Sequence, residues 1–167
     1  MLRPKPCVGR DASMAHLAQV VTSTANETER LAAQIAELAL PGDVLTLSGS
    51  LGAGKTTFAR GFIQALMKEP VEVPSPTFTL VQTYDTTKGP VWHCDLYRLS
   101  KPQDSLELGL EEAFGSAICL IEWPERLDGL LPASRLAISF AAAEAVRHIA
   151  FDGDERWRNR IAPRLSK

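Results

Sequence analysis

Cysteine is scarce in this sequence. Its 167 residues include Cys7, Cys94 and Cys119 and no others, an odd number without a CxxC pair. That excludes a disulfide framework and suits a reducing compartment. The histidines, three in all, are far apart and lack metal-ligand spacing. No apolar run approaches the roughly 18 residues of a membrane helix. The charged first ten residues lead into no apolar core, so a secretory signal is not expected either. An excess of positive charge is also missing. Lys and Arg total 18 against 20 Asp and Glu, a formal net charge of -2, which disfavours nucleic-acid binding by bulk charge. There is no internal repeat and no low-complexity linker. At 45% hydrophobic and 23% charged residues, the composition is that of a soluble globular domain, and the length suits one core.

The pattern along the chain alternates strands and helices early and clusters strands late. Residues 1–15 mix Pro, Gly and charge and read as a loose start. His16 to Val21 is a short strand. Ser23, Thr24 and Asn26 offer N-cap oxygens to a helix whose apolar stripe is Leu31, Ile35 and Leu38, and Pro41-Gly42-Asp43 stops it. Val44 to Ser48 is a strand that runs into a glycine-rich loop, followed by a helix with Phe58, Phe62, Ile63 and Leu66 on one face. Thr77 to Tyr84 reads as a strand from its Thr, Phe, Val and Tyr content. A turn at Lys88-Gly89-Pro90 precedes another strand, Val91 to Asp95. Asp104 to Phe114 forms one or two short helices, and Ala117 to Ile121 is a strand buried on both faces that ends at Glu122. Leu136, Ile138 and Phe140 alternate in a strand with which His148 to Phe151 can pair. The expected architecture is a three-layer α/β domain over residues 16–152, with a parallel central sheet and antiparallel additions. Residues 153–167 form a basic tail or helix.

The loop carries the chemistry. Gly49-x4-Gly54-Lys55-Thr56 matches the phosphate-binding loop. Its glycines let backbone N–H groups converge on phosphate oxygens at a helix N-terminus, Lys55 reaches the β and γ oxygens, and the Thr56 hydroxyl ligates Mg²⁺. A glycine-rich turn with a solvated lysine would share the letters, but not the strand before and the amphipathic helix after. Binding of a nucleoside triphosphate is therefore expected. A metal-bound triphosphate also needs carboxylates, and Asp95 and Glu122 each end a strand at the edge where a parallel sheet presents its ligand crevice. Ser75-Pro76-Thr77 lies where nucleotide-dependent switches place a hydroxyl near the γ-phosphate. Trp123 either caps the core or covers the nucleotide. Cys94 and Cys119 read as buried packing residues. His93 is placed on the opposite side of its strand from Asp95 and given no catalytic role. Arg156, Arg158, Arg160, Arg164 and Lys167 make a basic end around Trp157, read first as a solvated helix and second as an RNA or partner contact.

Four separated segments extend the match beyond the loop: GSLGAGKTT at Gly49 to Thr57, SPTFTL at Ser75 to Leu80, HCDLYRL at His93 to Leu99, and IEWP at Ile121 to Pro124. In order and spacing they resemble the bacterial TsaE family, also called YjeE, from about residue 22 to about residue 150. The resemblance implies a small cytoplasmic P-loop ATPase that uses ATP and Mg²⁺. Its expected partners are TsaB and TsaD, and tRNA through their complex, in forming threonylcarbamoyladenosine at position 37 of tRNAs reading codons that begin with A. It implies that Gly49, Ser50, Leu51, Gly52, Ala53, Gly54, Lys55, Thr56 and Thr57 bind the triphosphate. By the same resemblance, Thr56 and Glu122 attend Mg²⁺, and Asp95 acts as catalytic acid or orients water. Ser75 and Thr77 form the switch, the segment from Thr24 to Glu27 contacts adenine, and Arg147 is a basic nucleotide contact. Ser50 stands where the family commonly has Asp, which removes a charge from the loop but leaves its backbone cradle. Arg98 and Arg147 are the candidates for an arginine finger, and hydrolysis by the protein alone is expected to be slow and stimulated by partners.

Two other classes remain open. A small-metabolite or nucleoside kinase shares the loop and the layering, although residues 99–114 are too acidic for an arginine-bearing lid. A nucleotide-gated binding module would bind ATP with only incidental hydrolysis.

Overall fold

The computed structural model describes residues 14–76 and 78–165. Cys7, Thr77, Lys167 and most of the expected loose start lie outside them. Seven strands and four helices follow in the order β1 (Ala15–Thr22), α1 (Ala25–Leu38), β2 (Val44–Ser48), α2 (Lys55–Leu66), β3 (Val81–Thr86), β4 (Gly89–Asp95), α3 (Leu110–Ala113), β5 (Ile118–Glu122), β6 (Leu136–Ala143), β7 (Val146–Gly153) and α4 (Glu155–Leu165). Short 3-10 turns precede α3 and follow β5. The strands form one sheet ordered β1-β7-β6-β2-β5-β4-β3. The pairs β6–β2, β2–β5 and β5–β4 are parallel, and those of β1 with β7, β6 with β7 and β3 with β4 are antiparallel. This is the expected parallel centre with antiparallel additions.

Alternation along the central strands explains the three layers. Leu45, Leu47, Ile118 and Leu120 face a core shared with Leu31 and Ile35 of α1, Phe58, Phe62 and Ile63 of α2, and Trp157 and Ile161 of α4. Val44, Cys119 and Ile121 face the opposite way, onto a smaller cluster with Cys94, Leu96, Leu110 and Leu127. A strand buried on both faces has no polar position to spare, which is why β5 reads as an unbroken apolar run. Each fully buried Leu, Ile or Phe contributes on the order of 1.5–3 kcal/mol, so this double layer dominates stability.

Local chemistry sets the helix starts. Thr24 is the N-cap of α1: its side-chain oxygen accepts from the Glu27 N–H at 3.1 Å, while the Glu27 carboxylate accepts from the Ser23 N–H at 2.6 Å. Helix α2 starts at Gly54, whose φ of 109° a side chain would strain. Helices α1 and α2 touch backbone to backbone at Gly61, where an added Cβ would sit 2.5 Å from the Glu29 Cα.

One strand is shorter than its composition suggests. The expected strand from Thr77 begins only at Val81. Register places Val81 opposite Cys94, and the Leu80 carbonyl accepts the N–H of Asp95 at 2.9 Å; Asp95 is the last residue of β4, so the ladder goes no further. Leu80, at φ 65°, instead closes a turn through its N–H to the Pro76 carbonyl at 2.8 Å.

The basic end is a helix stapled to α1. Arg160 bonds Asp43 at 2.6 Å and stacks on Trp157 at 4.6 Å, and Arg164 pairs with Glu37 at 3.1 Å.

Candidate nucleotide site

The phosphate loop spans the gap between β2 and α2, at the carboxyl edge of the parallel strands. Behind it, Gly49 lies so close to β6 that an added Cβ would be 2.6 Å from the Phe140 carbonyl. On its open side, Gly52 takes φ 76° with nothing within 4 Å of a would-be Cβ. The loop is thus pressed against the sheet on one side and open to a ligand on the other. A cavity of about 330 Å³ stands over it, lined by Leu51, Gly52, Gly54, Lys55, Thr56 and Thr57. Thr24, Ser75, Asp95, Glu122, Trp123 and Arg147 add to the wall. Gly49, Ser50 and Ala53 are not among the residues that line it.

Each side chain reaches the cavity for a traceable reason. Lys55, only 5% exposed, curls back so that Nζ donates to the carbonyls of Gly49 at 2.5 Å and Ser50 at 2.8 Å. The ring of Trp123 lies 4.2 Å from that ammonium. Burial pushes the Lys55 pKa below its ordinary value, and the negative charges of Glu122, Glu125 and Asp95 oppose that shift. Trp123 holds this place with a left-handed backbone at φ 60°, and its ring meets that of Tyr97 at 4.9 Å. A non-glycine residue in that region is strained, and such strain clusters at ligand sites.

The two strand-end acids come together because β4 and β5 are parallel neighbours with Asp95 opposite Glu122. Thr56 donates its hydroxyl to Glu122 Oε1 at 2.9 Å, and Asp95 Oδ1 accepts the Tyr97 N–H at 3.1 Å. Thr56, Glu122 and Asp95 supply hard oxygen donors beside a phosphate cradle, a set that fits Mg²⁺, which takes one or two protein oxygens and completes its shell with phosphates and water. Arg147 reaches the loop from β7, donating to the Gly52 carbonyl at 3.3 Å across a separation of 95 residues. Arg98 does not line the cavity; its guanidinium sits 4.5 Å from the ring of Phe78, which is 82% exposed.

One sequence reading is overturned. His93 is not on the far side of its strand from the acids: residues two apart share a face, and His93 Nε2 lies 2.7 Å from Glu122 Oε2 with both residues buried. The signal that finds it is that spacing, His93-x-Asp95, together with the pairing of β4 and β5. Thr28 and Ala145, also in the wall, carry no pattern of their own and are visible only in three dimensions.

A parallel-centred three-layer sheet with a glycine-rich loop at the start of α2 defines a P-loop nucleotide-binding fold. A family model described as threonylcarbamoyl adenosine biosynthesis protein TsaE matches residues 22–149. The tRNA threonylcarbamoyladenosine biosynthesis protein TsaE of Rickettsia bellii is 40% identical over 121 residues, covering 72% of this chain and 84% of that protein. The protein of the same name from Bacillus subtilis is 43% identical over 132 residues, 78% of this chain and 82% of its own. The crystal structure of Bacillus subtilis YdiB superposes with a TM-score of 0.73 at 35% identity, covering 93% of this chain and 97% of the other. The chain belongs to the TsaE family.

Proposed function

We propose that this protein hydrolyses ATP in support of tRNA threonylcarbamoyladenosine formation. The observation that carries the reading is the meeting of Lys55, Thr56, Asp95 and Glu122, from one loop and two strand ends, on a single cavity at the N-terminus of α2. The membership of the TsaE family supplies the biological context.

In this reading the triphosphate lies along the loop, its β and γ oxygens against the backbone N–H groups and the Lys55 ammonium. Two N–H groups of Lys55 are placed on loop carbonyls, which aims the rest of the head at the cavity. Thr56 and Glu122 would hold Mg²⁺, which would supply positive charge to offset that of the triphosphate. Asp95 orients a water in line with the γ-phosphorus, and the bond to the β-bridging oxygen breaks to give ADP and phosphate. Lys55 and the loop N–H groups stabilise the charge that moves onto the leaving oxygen. Thr24, at the head of α1, borders the adenine end, and Arg147, paired with Thr22 across β1 and β7, lines the cavity as well.

Arg98 is engaged with Phe78 and Arg147 with Gly52, so neither is poised as an arginine finger in this arrangement. Hydrolysis by the protein alone is therefore slow, and it rises when TsaB and TsaD, with tRNA, order the site. The ATPase resets that complex between turnovers in the cytoplasm and does not itself build the modified base. Among the described residues no helix is long and apolar enough to cross a membrane.

Phosphate release from Mg-ATP, measured with and without TsaB, TsaD and tRNA, tests the reading. A several-fold rise with partners is expected, and equal turnover overturns the partner-gated scheme. A phosphorylated acceptor in place of free phosphate would make the protein a kinase instead.

A further inference from the structure

We propose that His93 is a positioning residue that locks the Glu122 carboxylate into the orientation the metal site requires. The inference rests on the hydrolytic site proposed above and names a residue outside it.

His93 is completely buried in β4 and Glu122 is 2% exposed at the end of β5. A carboxylate this enclosed is costly unless both oxygens are satisfied. Here each has one dedicated partner: Oε1 accepts from Thr56 at 2.9 Å, and Oε2 meets His93 Nε2 at 2.7 Å. The other ring nitrogen of His93, Nδ1, is buried and has no hydrogen-bond partner among the described residues. An N–H at Nδ1 would be a buried orphan donor, the more expensive arrangement. The Nε2–H tautomer avoids it, because that proton donates to Glu122 and only a lone pair is left facing the core. His93 is therefore a one-directional donor aimed at one carboxylate oxygen.

The consequence reaches the cavity through Glu122. With Oε2 pinned from behind, Oε1 is presented to Thr56. With its proton given to Oε1, Thr56 turns its oxygen lone pairs toward the cavity, where a cation beside the phosphates would meet them. A partner behind a metal-site carboxylate that sets its orientation is worth roughly 10–100-fold in metal affinity or activity. His93 touches neither substrate nor metal, so its effect is confined to how well Glu122 is aimed.

The test compares His93→Gln, whose side-chain amide places an N–H near the Nε2 position, with His93→Leu, which keeps bulk and loses the donor. Four quantities are measured on the full chain: melting temperature, ATP affinity in EDTA, the Mg²⁺ concentration that half-saturates ATP binding, and kcat with TsaB, TsaD and tRNA present. His93→Leu is expected to raise the Mg²⁺ requirement and lower kcat, each by about 10-fold or more, with ATP affinity in EDTA preserved. His93→Gln is expected to restore both toward the parent. In a Glu122→Gln background, His93→Leu is expected to add no further change in Mg²⁺ requirement. Should the leucine variant fail to fold, His93→Asn replaces it, since the shorter amide cannot reach Oε2.

A folded His93→Leu with the parent's Mg²⁺ requirement overturns the inference, as does a folded His93→Gln that fails as badly as leucine. If Thr56→Ala and Glu122→Gln also leave Mg²⁺ dependence untouched, the hydrolytic site itself is wrong. If those two lose it and His93→Leu does not, only the role of His93 falls.

Discussion

Two lysines in this protein grip backbone carbonyls, and they do opposite jobs. Lys88, at the β3–β4 turn, donates to the carbonyls of Ala36, Glu37 and Ala39 at 3.0, 2.6 and 2.7 Å. Those carbonyls lie at the C-terminus of α1, where the helix dipole favours a cation. An ammonium has three donors, so Lys88 is saturated. Lys55 spends two on the loop, at the positive end of α2, and is ringed by Glu122, Glu125 and Asp95. Burial lowers the pKa of both. What separates them is the remaining capacity: a lysine that has met its whole complement of acceptors holds the fold, and one held short of it beside a cavity is available to a phosphate.

The sharpest way to break this contrast is Lys55→Ala. Hydrolysis is expected to fall about 10²–10³-fold, the size of losing one donor to developing charge, with the melting temperature nearly unchanged, since a buried ammonium returns its desolvation cost when removed. Phosphate release and calorimetry on the same preparation check both halves. Next in size, Thr56→Ala and Glu122→Ala are expected to weaken Mg²⁺-dependent hydrolysis by about 10–100-fold and nucleotide binding in EDTA far less. Unchanged rates in both would remove them from the site.

Lys88→Met should show the mirror image. Hydrolysis stays within about twofold, while urea unfolding loses about 1–3 kcal/mol as the end of α1 loses its donors. Activity loss as large as that of Lys55→Ala would erase the distinction.

The smallest effect concerns the sheet between the two lysines. Burial pushes the Cys119 thiol up to about 12 from an ordinary 9.0. Above pH 9 the unfolded chain gives up a proton that the folded chain keeps, so the unfolded state binds fewer protons. Stability therefore falls as pH rises from 9 toward 12. Cys119→Ala is expected to flatten this decline between urea melts at about pH 8 and about pH 10. An identical slope would mean that the thiol is not held as described.

Local reading succeeded wherever one segment's own pattern decided its conformation. The apolar spacing of Leu31 and Ile35, the unbroken run before Glu122 and the glycines of the loop each specify backbone geometry without reference to distant residues. It went wrong just before Val81, where strand-forming composition gives way to a left-handed turn at Leu80 as β4 ends. It also went wrong at His93, where the face of a strand was misassigned. The basic end was ambiguous in sequence because charge alone does not say whether an acid waits opposite. Asp43 and Glu37 answer for Arg160 and Arg164, and Arg158 is left exposed.

By itself, the order of residues determined that a phosphate cradle exists, which helix it opens and which strands carry its acids, because dihedral preference and hydrophobic period are properties of a few consecutive residues. Only the folded sheet decided that β4 and β5 lie side by side, that His93 stands behind Glu122, that Arg147 reaches Gly52 and that Trp123 covers Lys55. Those contacts join positions up to 95 residues apart, and they follow from how seven strands bury two apolar faces at once, a condition that no single segment contains.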